Sequence, residues 1–191
     1  MMRKASGNLL LVFGGLAIGV GLGVLLLVSC GLGGYLIGSL LVKSEKQDVS
    51  QTIVGMEAPE FKLTTIYGES MRLSELRTRA VMLNFWASWC GPCVEEMPTL
   101  QAYSEKYEQD LIILGINADE PRSDVVGFVE QHSLSFTILL DPDSRIQDLY
   151  SIRAFPTSYF IDQEGVVRAV HIGSLSESLL VGYLEKIGVG K

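Results

Sequence analysis

Residues 9–42 form the longest apolar stretch of the chain, 34 positions without a charge, preceded by Arg3 and Lys4 and followed by the polar run KSEKQDVS at 43–50. As one helix this stretch would be about 51 Å long, against roughly 30 Å for the hydrocarbon core of a bilayer. It predicts a transmembrane anchor at 9–42 behind a cytoplasmic N-terminus at 1–8. Ten of the 20 glycines lie at or before Gly38, a cost in a water-exposed helix but common in membrane spans. Past a linker at 43–50, short apolar runs alternate with polar turns, the pattern of a folded domain over 51–191.

Within that domain, 61–67 and 71–73 flank Gly68-Glu69 and predict a β-hairpin, after which Ser74 is placed to cap a short helix. The runs VMLNFW at 81–86 and LIILGI at 111–116 suit buried strands. Helical patterns cover 92–109, where Pro98 should introduce a kink, and 123–131, 144–150 and 176–187. Further strands are expected at 136–140, 157–161 and 166–171, the last two joined by a turn at 163–165. Strands that alternate with helices and then close on a hairpin imply an α/β domain, a mixed sheet with helices on both faces.

Charge narrows the function. Beyond residue 42 the chain carries 13 basic and 22 acidic residues, a poor surface for nucleic acid or an anionic membrane, where Lys and Arg supply most of the affinity. The basic N-terminus favours a cytoplasmic start, which places the acidic domain on the far side of the membrane. A cleaved secretory signal is the other reading, although its apolar stretch usually runs only 7 to 15 residues. Leu27-Val28-Ser29-Cys30 also resembles a bacterial lipobox, but 31–42 stay apolar where a lipoprotein turns polar.

The candidate chemistry lies at Trp89-Cys90-Gly91-Pro92-Cys93, where a buried strand gives way to a helix. Pro92 suits a first helical turn. Cys90 then faces the free N–H groups and the positive end of the helix dipole, which favour a thiolate. Cys93, one turn further in, is near enough to close a small disulfide ring with Cys90 and open it again without moving the fold. A structural bridge over so short a loop would restrain little of the unfolded chain. Half of a zinc site is the other alternative, but Cys30, His132 and His171 are poorly placed to complete four ligands.

The segment Asn84-Phe85-Trp86-Ala87-Ser88-Trp89-Cys90-Gly91-Pro92-Cys93 resembles the thioredoxin active-site segment, and Phe155-Pro156-Thr157 resembles that fold's cis-proline loop. The stretch Gly55-Met56-Glu57-Ala58-Pro59-Glu60-Phe61 is similar to the entry of the TlpA/ResA and peroxiredoxin branches. The spacing from Cys93 to Pro156 leaves room for that group's central insertion. With the apolar anchor, the chain resembles membrane-anchored TlpA/ResA-like thiol-disulfide oxidoreductases of the thioredoxin superfamily over roughly 50–191. The resemblance implies a thioredoxin-like fold with an N-terminal hairpin and a redox-active Cys90–Cys93 disulfide. It also implies a cis Pro156 beside the Cys90 sulfur, and a Phe155 backbone that pairs with an extended substrate peptide. Trp89 would shield the disulfide, while Phe85 and Trp86 read as core. No cofactor or metal is needed. The expected substrate is an exported thiol protein such as apocytochrome c, with a transmembrane thiol carrier resupplying electrons.

Two departures matter. Gly91-Pro92 is the thioredoxin pair where other TlpA/ResA members carry Glu-Pro. Asn84 stands where thioredoxin keeps a buried Asp, and an amide cannot accept a proton at neutral pH. Glu96, three residues past Cys93 on the same helical face, matches the active-site Glu of ResA-like proteins and is the candidate proton acceptor, with Glu95 as its solvated neighbour. Asp119 and Glu120 follow a strand end and could border the site; His132 and His171 read as surface or edge residues. A peroxiredoxin-like peroxidase is the competing enzyme, although Ala87-Ser88-Trp89-Cys90 lacks its Thr-x-x-Cys setting. A redox-inert binding or chaperone domain would not need both cysteines.

Overall fold

The computed structural model describes residues 53–190; the expected N-terminus at 1–8, anchor at 9–42, linker at 43–50 and Cys30 lie outside them. Among the described residues no helix is long and apolar enough to cross a membrane. The elements are β1 (Lys62–Thr65), β2 (Ser70–Arg72), β3 (Ala80–Trp86), α1 (Gly91–Lys106), β4 (Leu111–Ala118), α2 (Arg122–Gln131), β5 (Thr137–Asp141), α3 (Arg145–Leu149), β6 (Thr157–Ile161), β7 (Val167–Ile172) and α4 (Glu177–Lys186). They build one seven-stranded mixed sheet in the order β2-β1-β5-β4-β3-β6-β7.

All seven residues of β3 are buried, which explains why its sequence, apart from Asn84, is apolar on both faces rather than alternating. It lies parallel to β4, from Ala80 opposite Leu111 to Trp86 opposite Asn117, and antiparallel to β6. One face of the sheet packs under α1, α2 and α4 through Met97, Leu100, Val125, Val129, Leu180 and Leu184. The other packs Val81, Leu83, Phe85, Leu114 and Ile116 against Phe61, Ile146, Tyr150 and Ile152. Helices therefore lie on both faces, but the three long ones share one side, and the short α3 with the N-terminal segment covers the other. Each large aliphatic side chain so buried contributes roughly 1.5–3 kcal/mol.

Local chemistry sets the connections. The hairpin turns because the Thr65 hydroxyl accepts the N–H groups of Tyr67 (3.2 Å) and Glu69 (3.1 Å), a Thr turn of the usual kind. Ser74 does not cap a helix as expected. It lies inside a 3-10 turn, Leu73–Leu76, and its N–H and hydroxyl both donate to Glu60, at 3.0 and 2.9 Å; the nearby acceptor outcompetes the cap. The helix expected over 92–109 starts one residue earlier and ends at Lys106, with Pro98 inside it. That proline interrupts the hydrogen-bond ladder without ending the helix, since the buried Met97, Leu100 and Tyr103 hold both halves to the sheet. Ser176 caps α4 by accepting the Leu179 N–H.

Candidate active site

The end of β3 delivers the chain to residues 87–89 and then to Cys90, which has extended backbone angles and forms the N-cap of α1. Its carbonyl accepts from Cys93 N (3.0 Å) and Val94 N (3.1 Å), and its sulfur lies 3.3 Å from Cys93 N. The two sulfurs form a disulfide with the Cα atoms 5.3 Å apart. Their surroundings differ. Cys93 is wholly buried, whereas Cys90 keeps 6% exposure in the wall of an open groove of about 650 Å³ shared with Trp89, Pro92, Gln147, Ile152, Arg153 and Phe155. Trp89 is 70% exposed and meets the Phe155 ring edge to face at 5.9 Å. The Phe155–Pro156 peptide bond is cis. The groove is lined both from the loop after β3, by Trp89 and Cys90, and from the loop before β6, by Arg153 and Phe155.

Glu96 is not a solvated helix-start acid. It is 3% exposed; its Oε1 accepts from Asn84 Nδ2 at 2.7 Å and its Oε2 from Leu175 N at 2.9 Å. Burial pushes its pKa above the ordinary glutamate value, and the two hydrogen bonds pull the other way without cancelling that rise. Glu95, by contrast, is exposed. Asn84 thus has a part beyond lacking an acidic proton: its amide nitrogen orients Glu96 and also donates to Ser158 Oγ at 3.1 Å.

The structure brings Glu120 into the site more firmly than a strand-end acid suggests. Its carboxylate accepts from Ser88 N (2.7 Å), from the Ser88 hydroxyl and from Asn117 Nδ2 (2.7 Å), tying down the loop that carries Trp89 and Cys90. The sequence held a signal for this. β4 runs parallel to β3, so a short side chain and an acid at the end of β4 must emerge beside the loop leaving β3. Asp119 itself is exposed, with a backbone φ of 50°. His132 stacks on Phe128 at 4.2 Å between centroids, Phe128 lies against Trp86, and His171 sits on the edge strand β7. Among the described residues there is no cluster of three or more His, Cys, Asp or Glu arranged to hold a metal.

A sequence profile of the AhpC/TSA family matches residues 54–170. The thiol-disulfide oxidoreductase ResA of Bacillus cereus is 36% identical over 165 residues, covering 86% of this chain and 93% of that protein. The protein of the same name from Bacillus subtilis is 32% identical over 170 residues, covering 88% and 92%. Among solved structures, a Chlorobium tepidum protein described as the thiol:disulfide interchange protein DsbE superposes with a TM-score of 0.66 at 33% identity, over 71% of this chain and 98% of that one.

Proposed function

This chain belongs to the AhpC/TSA family, among the ResA-like thiol-disulfide oxidoreductases, and from that premise we propose which sulfur attacks, which resolves, and what takes the proton. The observation that carries the reading is the unequal access of the two cysteines, Cys90 in the groove and Cys93 sealed behind it. In the reduced enzyme the Cys90 thiolate, favoured at the helix start, attacks one sulfur of a substrate disulfide. A Cys90–substrate bond forms, and the first substrate sulfur leaves as a thiolate that takes a proton from water. Cys93 then gives its proton to Glu96, and its thiolate attacks the Cys90 sulfur. The mixed disulfide breaks, the second substrate thiol is released, and the Cys90–Cys93 bond retains the oxidation.

Glu96 suits that transfer because burial raises its pKa towards the operating pH, where a general base works best. Trp89 and Phe155 provide aromatic walls for a peptide, and the backbone at Phe155 and Pro156 provides an edge for an extended chain to pair with. The substrate is an exported thiol protein, with apocytochrome c as the instance the family likeness supports. A transmembrane thiol carrier returns the electrons, and the domain works outside the cytoplasm on its N-terminal anchor. The chemistry uses no cofactor.

The test is trapping on the full-length chain. Cys93→Ser should retain substrate covalently through Cys90, and Cys90→Ser should retain none; accumulation in Cys90→Ser would reverse the roles. Insulin-disulfide reduction beside peroxide consumption separates the reductase from a peroxidase, which would consume peroxide at the faster rate.

A further inference from the structure

The loop that joins β7 to α4 holds two parts of the site at once. Gly173 adopts φ 100°, a conformation that favours glycine, and its N–H donates to the Pro156 carbonyl at 2.8 Å. Two residues on, the peptide unit between Ser174 and Leu175 turns its N–H to Glu96 Oε2 at 2.9 Å. On its other side, the Ser174 carbonyl oxygen lies 3.2 Å from His171 Nε2. A carbonyl only accepts, so Nε2 carries the proton; Nδ1, 3.3 Å from the Tyr183 hydroxyl, is left to accept from it in the neutral ring. Ring N–H, carbonyl, amide N–H and carboxylate are therefore joined head to tail across a single peptide. A donor on the carbonyl side of a peptide polarises it and strengthens its N–H as a donor.

A second track runs in the same direction. His171 is the cross-strand partner of Ser158, whose hydroxyl accepts from Asn84 Nδ2, and that amide also holds Glu96 Oε1. The surrounding elements carry, among other ionisable groups, Cys93 and Tyr103 on α1, Glu177 at the head of α4 with the Tyr103 hydroxyl on its carboxylate at 3.0 Å, and Tyr183 with the Lys186 ammonium 4.9 Å over its ring. Among the described residues neither Glu96 nor His171 has an ion-pair partner.

We propose that His171 is a positioning residue for Glu96: by gripping the 174–175 peptide it aims the Leu175 N–H at the carboxylate, favours its charged form, and so sets the pH above which Cys93 can be deprotonated. This rests on Glu96 as the proton acceptor.

The test uses the full-length chain with glutamate carboxyls labelled with 13C, in wild type, His171→Phe, His171→Gln and Glu96→Gln. Phe keeps a ring against Tyr183 but removes the N–H, and Gln restores an N–H donor. In His171→Phe the Glu96 carboxyl should titrate about half a pH unit higher, roughly a threefold change in proton affinity, the scale expected for weakening one hydrogen bond in a chain. The acid limb of the disulfide-exchange rate should move with it. His171→Gln should return both towards wild type. An unchanged Glu96 titration in His171→Phe overturns the proposal, as does a rate lowered by the same factor at every pH in both variants. If Glu96→Gln retains the acid limb, the assignment of Glu96 as proton acceptor fails, while the carboxyl titration still decides the role of His171.

Discussion

Removing the Glu120 side chain tests whether the loop ahead of Cys90 is held from β4. Glu120→Ala deletes the acceptor for Ser88 N, the Ser88 hydroxyl and Asn117 Nδ2. Hydrogen bonds to a charged group are worth about 1.5–3 kcal/mol each, and a buried donor left without a partner costs about 1–3 kcal/mol. Asn117 is fully buried and its Oδ1 is already unpartnered among the described residues, so it has little room to rearrange. Ser88 and Glu120 are only half-buried, and water will replace part of what they lose. The net cost should therefore be about 2–4 kcal/mol, rather than the full sum of three bonds. The two tryptophans of the chain, Trp86 and Trp89, stand on either side of Ser88, so fluorescence-detected urea unfolding reads the perturbation where it occurs. A double-mutant cycle with Ser88→Ala isolates the bond between the two side chains and should give a coupling of about 1 kcal/mol. Disulfide-exchange rates should fall in Glu120→Ala, because Trp89 and Cys90 lose their anchorage. Unfolding within about 0.5 kcal/mol of wild type, with additive single variants and an unchanged rate, would refute the clamp.

Other outcomes follow from the same geometry. Glu96→Gln should slow disulfide exchange by about 10²-fold, the lower end of what a positioned base contributes, with Glu95→Gln near wild type; equal pH profiles for the two would remove Glu96 from the mechanism. Because the folded-state pKa of Glu96 is raised by burial, its contribution to stability is fully present below the unfolded-state value and is lost as pH rises through the folded-state one. The stability of Glu96→Gln relative to wild type should therefore increase across that window and then level off, as chemical unfolding at stepped pH would show. Gly115→Ala would place a Cβ 2.7 Å from Ile138 Cδ1 and 3.1 Å from Trp86 Nε1, and should lower stability by about 1–3 kcal/mol in urea unfolding. Trp89→Ala should leave unfolding within about 0.5 kcal/mol of wild type, since the side chain is 70% exposed, while raising KM for a protein disulfide; an unchanged KM would remove Trp89 from the substrate wall.

Patterns confined to one element were legible in the chain itself. The largely apolar run of β3, the Gly68 turn, and the strand-to-helix switch carrying Cys90, Pro92 and Cys93 each reflect backbone and burial preferences expressed within a few residues. The N-terminal position of Cys90 on α1 follows from Pro92 in the first helical turn after a buried strand. Ser74 was misread for a reason of the same kind, since its competing acceptor, Glu60, lies 14 residues earlier, beyond any capping rule.

Periodicity states which face of a strand or helix a residue occupies, and the resemblance of motifs names candidates such as Glu96 and Pro156. Neither states what lies across the sheet. Asn84 and Leu175 meet Glu96 from 12 and 79 positions away, and Ser88 meets Glu120 from 32. His171 meets the Ser174 carbonyl of the peptide whose N–H serves Glu96, on a loop that follows the edge strand β7. Those neighbours depend on strand order and register, which the summed packing of both sheet faces selects, and a carboxylate's proton affinity depends on the groups so assembled around it. The amino-acid pattern by itself determined that a cysteine pair would open a helix at the end of a buried strand. Only the tertiary structure decided that a glutamate on that helix would be buried between an amide of β3 and a peptide held by a histidine of β7.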